Sequence, residues 1–200
     1  MKRLLLSCLL LCMGTQVLAK DFITVGVSGF GTRRAENYWQ PSGAHDNLPT
    51  SGAYKSYKLV HYAKKKELQQ IVDNFECSKG KKGRKDLGLI VMANSWGSYK
   101  AIKLTKMYKK ACGEEIDLFI MVDGVKKPIA AQGIRPKAKK CVNFYQTRGV
   151  VRGKAIKGCE NHDMTKYCYD SDSGVQCHIR VEWSGTADGA QIIRDYIYSN

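Results

Sequence analysis

The sequence predicts an α/β fold: a mostly parallel sheet flanked by helices and stapled by disulfides. Three observations predict it. Short apolar, β-branched runs alternate with longer segments of helical periodicity, the order expected when helices cross over a parallel sheet. No low-complexity block or internal repeat interrupts the 200 residues, of which 44% are hydrophobic, so there is enough apolar material for one core. Of the eight cysteines, all but Cys8 and Cys12 fall after an N-terminal export-like segment, where an even number reads as a disulfide framework.

That N-terminal segment comes first in the chain. Lys2 and Arg3 are followed by the apolar run Leu4 to Met13 and by Val17-Leu18-Ala19, which fits a signal-peptidase site. The run is shorter than the ~20 residues that span a bilayer. Residues 1–19 are therefore expected to be a cleavable signal peptide, and 20–200 a single domain that is secreted or periplasmic. The net charge of +15 draws such a surface to anionic partners, among them anionic membranes and polyanions. No aromatic RNA- or DNA-binding motif accompanies it, so no specific nucleic acid is expected.

Phe22 to Ser28 is a β-branched run that leaves into Gly29-Phe30-Gly31, a buried strand followed by a tight turn. A dinucleotide fingerprint needs a third glycine where Arg34 stands, so no nucleotide cofactor is expected. Arg33 to Tyr57 reads as a long polar loop. Its Tyr38, Trp39, Tyr54 and Tyr57 either line a groove or pack the loop down. Lys58 to Phe75 has the spacing of an amphipathic helix, and Ser78 to Lys85 is a basic, glycine-bearing turn. Leu87 to Asn94 is a second buried strand and Ser98 to Ala111 a helix. Ile116 to Val122 is a third strand, ending at Asp123-Gly124, and Cys141 to Gln146 a fourth. Arg148 to Cys177 is long, polar and cysteine-rich. Ala187 to Tyr198 closes the chain as a helix with Ile192, Ile193, Tyr196 and Ile197 on its apolar face.

Cys77, Cys112, Cys141, Cys159, Cys168 and Cys177 allow 15 pairings. Cys168–Cys177 is the favoured local pair, because it would pin the loop before His178. No two cysteines have C-x-x-C spacing and no paired histidines follow, so a metal site is not expected.

Chemistry concentrates at Ala93-Asn94-Ser95-Trp96-Gly97. An apolar strand stops at a serine flanked two residues away on either side by small residues, and a helix follows at once. This is the strand–turn–helix that holds a nucleophilic serine on a sharp turn. A serine hydroxyl needs a base and an acid to orient that base. Asp123 follows the next strand directly, at the end where an α/β sheet carries its site. His178 is placed after the last strand and before the final helix, with Ile179, Val181 and Trp183 as alternating apolar support. The order Ser95, Asp123, His178 is that of a hydrolase triad on an α/β sheet. His162 is the rival base, while Asp163, Asp170 and Asp172 are alternative acids. His45 and His61 precede the serine and do not fit the order. For the oxyanion, the backbone N–H of Trp96 and of Phe30 are the expected donors.

These residues, together with Val142-Asn143-Phe144-Tyr145-Gln146 and Gly158-Cys159-Glu160-Asn161, make the chain from about Phe22 onward resemble small secreted α/β-hydrolases of the lipase/esterase type. The resemblance implies hydrolysis of a small-molecule or lipid ester through a Ser-His-Asp triad and an acyl-enzyme, without a cofactor. There are departures: Ala93 replaces the first elbow glycine, Ser28-Gly29 stands where a His-Gly pair often precedes the oxyanion turn, and the extra strands and cap of larger members are lacking. The competing reading is a non-catalytic exported binding protein on the same fold, using its basic surface. Acyl-chain preference, hydrolase against acyltransferase, and oligomeric state are not in the sequence.

Overall fold

The computed structural model describes residues 20–29, 44, 48–49, 53–126 and 130–200. The expected signal segment, the Phe30 oxyanion donor, Tyr38, Trp39 and His45 lie outside the described residues, as does the side chain of Tyr54.

Six strands form one parallel sheet. In chain order they are β1 (Asp21–Ser28), β2 (Ala53–Val60), β3 (Leu87–Asn94), β4 (Ile116–Val122), β7 (Ala138–Tyr145) and β8 (Glu160–Asp163). Across the sheet the order is β2-β1-β3-β4-β7-β8. A two-stranded antiparallel pair, β5 (Val125–Lys126) and β6 (Ala130–Ala131), sits between β4 and β7 in the chain. The helices are α1 (Lys65–Asp73), α2 (Gly97–Cys112) and α3 (Gly174–Tyr198).

The central strands are buried along their length, β3 and β4 at every position, as strands covered on both faces must be. Their side chains alternate between two cores. Ile23, Val25, Val27, Leu89, Val91, Ala93, Phe119 and Met121 pack with Leu68 and Ile71 of α1 and with Ala101, Leu104 and Tyr108 of α2. Phe22, Ile90, Met92, Leu118, Ile120 and Val122 face the other way, onto Val181, Ile193 and Ile197 of α3.

Two segments differ from expectation. Residues 53–60 are an edge strand rather than the end of a loop and the start of a helix, and α1 begins only at Lys65. β2 has a single neighbour, β1, and exposes Lys55 and Lys58, so it lacks the apolar run that marks an inner strand. Tyr57 is half-buried against the α1–α2 core and accepts a hydrogen bond from Asn74 at 2.9 Å, so it packs rather than lining a groove. Secondly, the last helix starts at Gly174 and runs for 25 residues, well before Ala187. Ser173 caps it, accepting from the Gln176 N–H while the Gln176 side chain accepts from Ser173. The S-x-x-Q capping box was present in the sequence as a start signal. Ile179 and Trp183 are therefore exposed positions on a helix, not apolar support for His178.

All six described cysteines are paired: Cys77–Cys112, Cys141–Cys159 and the expected Cys168–Cys177. Three disulfides place the chain in an oxidising, extracellular type of environment. Among the described residues no helix is long and apolar enough to cross a membrane.

At the end of the sheet opposite the candidate site, buried Asp117 accepts from the Leu89 N–H at 2.9 Å and from Lys20 and Lys139 at 2.5 and 3.0 Å. Burial pushes its carboxyl up, but the Lys20, Leu89 and Lys139 bonds outweigh this and hold it below 3.8. Asp117→Ala leaves the Leu89 N–H without its acceptor, and both lysines are partly solvated, so the expected loss is about 2 kcal/mol at neutral pH. A carboxyl with a depressed folded pKa stabilises above its unfolded value and loses that contribution as pH falls through the folded one. Urea midpoints of wild type and Asp117→Ala should therefore differ most at pH 7 and draw closer well below pH 3.8, where only the Leu89 hydrogen bond still separates them.

Candidate active site

Strand register builds the site. Val27 lies opposite Ala93, Asn94 opposite Val122, and Val122 opposite Phe144. The carboxyl ends of β1, β3, β4 and β7 thus finish at one level, and the residues that follow, Gly29, Ser95, Asp123 and Gln146, emerge side by side. From β1 the chain moves outward to β2, whereas from β3 it moves the other way to β4, β7 and β8. The crevice between β1 and β3 is the topological switch point, where open α/β sheets bind ligands.

Ser95 occupies this crevice at φ 48°, a left-handed conformation that costs a non-glycine residue about 1–3 kcal/mol. The turn is fixed by backbone bonds: the Ser95 N–H donates to the Val122 carbonyl, and the Ser95 carbonyl accepts from Ser98 and Val125. Small flanking residues are required, as expected. A Cβ on Gly97 would lie 2.1 Å from the Val27 carbonyl oxygen, so the start of α2 can pass over the end of β1 only with glycine there.

The Ser95 hydroxyl donates to His178 Nε2 at 2.9 Å, and His178 Nδ1–H donates to Asp123 Oδ2 at 2.5 Å. All three residues are buried, and Ser95 keeps 8% of its surface exposed. His178 is in the first turns of α3, not on a loop before it, and the adjacent Cys177 is tied to Cys168. Burial pushes the imidazole pKa down. The Asp123 hydrogen bond and the charges of Glu182 and Asp123 outweigh that and raise it above 6.5.

Asp123 is also at positive φ, 40°, and its carboxylate is saturated with donors. Oδ1 accepts from the backbone N–H of Gly153 at 2.5 Å and of Gln146 at 3.3 Å, and Oδ2 from Gln146 Nε2 at 3.0 Å. A Cβ on Gly153 would stand 2.6 Å from Asp123 Oδ1. Sequence reasoning missed Gly153, although a glycine isolated in Val151-Arg152-Gly153 was the available sign of a close backbone approach. Asn143 holds that segment in place by donating to the Lys154 carbonyl and to Asn161 Oδ1, and Asn161 in turn brackets Ile156 and Cys159.

The rivals are occupied elsewhere. His162 stacks on Phe144 and donates to Glu160 at 2.9 Å on the edge strand β8. Asp163 accepts from Thr165 N–H, Asp170 pairs with Arg148, and Asp172 caps Tyr169 and pairs with Arg180. His61, set aside on chain order, sits beside the site: its Nδ1–H donates to the Gly29 carbonyl at 3.1 Å and its ring meets Trp96 edge-on. The Gly29 N–H donates to Asn94 Oδ1 at 3.1 Å, so it is committed to the scaffold. Trp96 forms the N-cap of α2, which sets its N–H at the positive end of that helix.

A groove of about 500 Å³ runs along the outward stripe of α3, turned away from His178, and is lined by Tyr167, Tyr169, Ile179, Arg180 and Trp183. Among the described residues no three of His, Cys, Asp and Glu converge as a metal-ligand set. No protein-family model matches the chain, and no curated protein matches it significantly.

Proposed function

We propose that the protein is a serine hydrolase of the α/β-hydrolase kind that cleaves carboxylic esters, exported by its N-terminal signal segment. The observation that carries this reading is the continuous Ser95–His178–Asp123 hydrogen-bond chain, mounted on a strained turn at the sheet's switch point. Such strain is retained where a reacting group must be presented. A binding module gains nothing from it, which is why the non-catalytic reading is the weaker one.

The chemistry follows from the atoms. His178 Nε2 takes the Ser95 proton as Oγ bonds to the ester carbonyl carbon, and Asp123 stabilises the imidazolium that forms. The carbonyl oxygen becomes an oxyanion near the Trp96 N–H. The tetrahedral adduct collapses by breaking the carbon–oxygen bond to the alcohol, which leaves with the proton from His178 Nε2. Water then repeats the sequence on the acyl-enzyme, regenerating Ser95 and releasing the acid.

Two measurements test this. A fluorophosphonate should label the folded protein on Ser95, with labelling lost in Ser95→Ala. Wild type should also turn over a nitrophenyl ester, with turnover lost in Ser95→Ala. Folded wild type that takes no label rejects the hydrolase reading. Labelled protein that releases no nitrophenol rejects ester cleavage alone.

A further inference from the structure

The triad leaves one buried acid unused. Glu182 lies one helical turn after His178 on the inward stripe of α3. Its Oε1 is 3.5 Å from His178 Nε2, the nitrogen that serves Ser95, and accepts from Asn94 Nδ2 at 2.9 Å. Asn94 Oδ1 in turn accepts from the Gly29 N–H. One amide therefore links Glu182 to the root of the β1 turn. Among the described residues, the charged groups acting on Glu182 are His178 on its own helix and Asp123 from β4.

We infer that Glu182 is a positioning residue that sets the base strength of His178 from the Nε2 side, and with it the pH at which the serine becomes active. Asp123 and Glu182 flank the imidazole, one at each nitrogen. An Nδ1 partner orients the ring, and the negative charge near Nε2 stabilises the imidazolium where the transferred proton resides. A charged Glu182 makes His178 hold its proton to higher pH; a neutral Glu182 releases it. Burial, reinforced by Asp123, drives the Glu182 carboxyl up to about 7, with His178 and Asn94 opposing. The two groups consequently change charge in the same pH range and titrate as a pair. The site then responds to acidity near neutrality rather than only to the intrinsic pKa of one histidine.

This role rests on the serine-hydrolase reading, and its test separates the two. Glu182→Gln preserves shape and keeps an oxygen for Asn94. The rate of fluorophosphonate labelling is followed from pH 5 to 9 in wild type and Glu182→Gln. The acid limb should move down by up to about one pH unit in the variant, the size expected for loss of one close charge. The difference should be largest at and above neutrality, up to about twofold in rate, and vanish near pH 5.5, where Glu182 is neutral in wild type as well, with the alkaline plateau within about threefold. An acid limb displaced by less than about 0.2 unit overturns the role of Glu182 while leaving the hydrolase intact. Imidazole NMR titration gives the same comparison without labelling: the His178 midpoint should fall in Glu182→Gln, and an unmoved midpoint overturns the inference. Wild type alone provides a further check should the variant fold poorly. Carboxyl carbon titration of Glu182 should centre near neutrality, and a curve complete by pH 5 overturns the proposal.

Discussion

Ser95→Ala and His178→Ala are each expected to lower kcat on an activated ester by about 10⁶-fold, and the double variant by no more than either alone. The reason is local. The Ser95 hydroxyl donates to a single nitrogen, His178 Nε2, so without the imidazole the attacking oxygen has nowhere to send its proton. Without the hydroxyl the imidazole has nothing to activate. Whatever rate survives comes from substrate positioning and oxyanion donors, typically ~10³–10⁴ above water. The measurement is kcat on a nitrophenyl ester, with circular dichroism to show that each variant keeps its fold. Retention of more than a tenth of wild-type kcat in folded His178→Ala would rule out the triad.

Asp123→Asn should cost about 10⁴-fold in kcat while barely altering the fold. The surroundings of Asp123 fix how an amide would sit. One carboxylate oxygen faces the backbone N–H groups of Gly153 and Gln146, so an asparagine must place its oxygen there. Its NH2 is then turned toward His178 Nδ1. That nitrogen must become an acceptor, which moves the ring proton to Nε2, where it blocks acceptance from Ser95. The variant thus holds the wrong tautomer rather than lacking a partner. Raising the pH helps, because hydroxide takes the blocking proton from Nε2 and frees that nitrogen to accept from Ser95; hydroxide-dependent recovery above pH 9 distinguishes this from misfolding. A loss smaller than tenfold would show that Asp123 does not control the tautomer.

Local pattern made the inner frame legible. Phe22–Ser28, Leu87–Asn94 and Ile116–Val122 are predominantly apolar runs, broken by a few residues such as Thr24 and Asp117, because neighbours cover both of their faces, and all three are strands. The candidate nucleophile was visible in the small residues around Ser95, since the turn leaves no room for a side chain at Gly97. Asp123 was visible from its place just after a buried strand. Edge elements were not. β2 and the four-residue β8 bury too little to carry an apolar signature, and their pairing is set by neighbours distant in sequence. The start of α3 was missed because Ile179, Val181 and Trp183 read as alternating apolar support for His178, although in the helix the inward positions are His178, Val181, Glu182 and Gly185.

By itself the sequence determined the alternation of strands and helices, the elbow serine, the order of the triad residues and the supply of cysteines. Each of these is a property of a few adjacent residues or of their order along the chain. Tertiary structure decided the rest. Parallel register brought the ends of β1, β3, β4 and β7 to one level, so that Ser95, Asp123 and the Gln146 donors meet. α3, capped at Ser173 and stapled by Cys168–Cys177, then swings His178 into their midst and brings Glu182 with it. Contacts between atoms 88 positions apart, as for Asn94 and Glu182, leave no periodic trace in a chain, because only the folded sheet makes those residues neighbours.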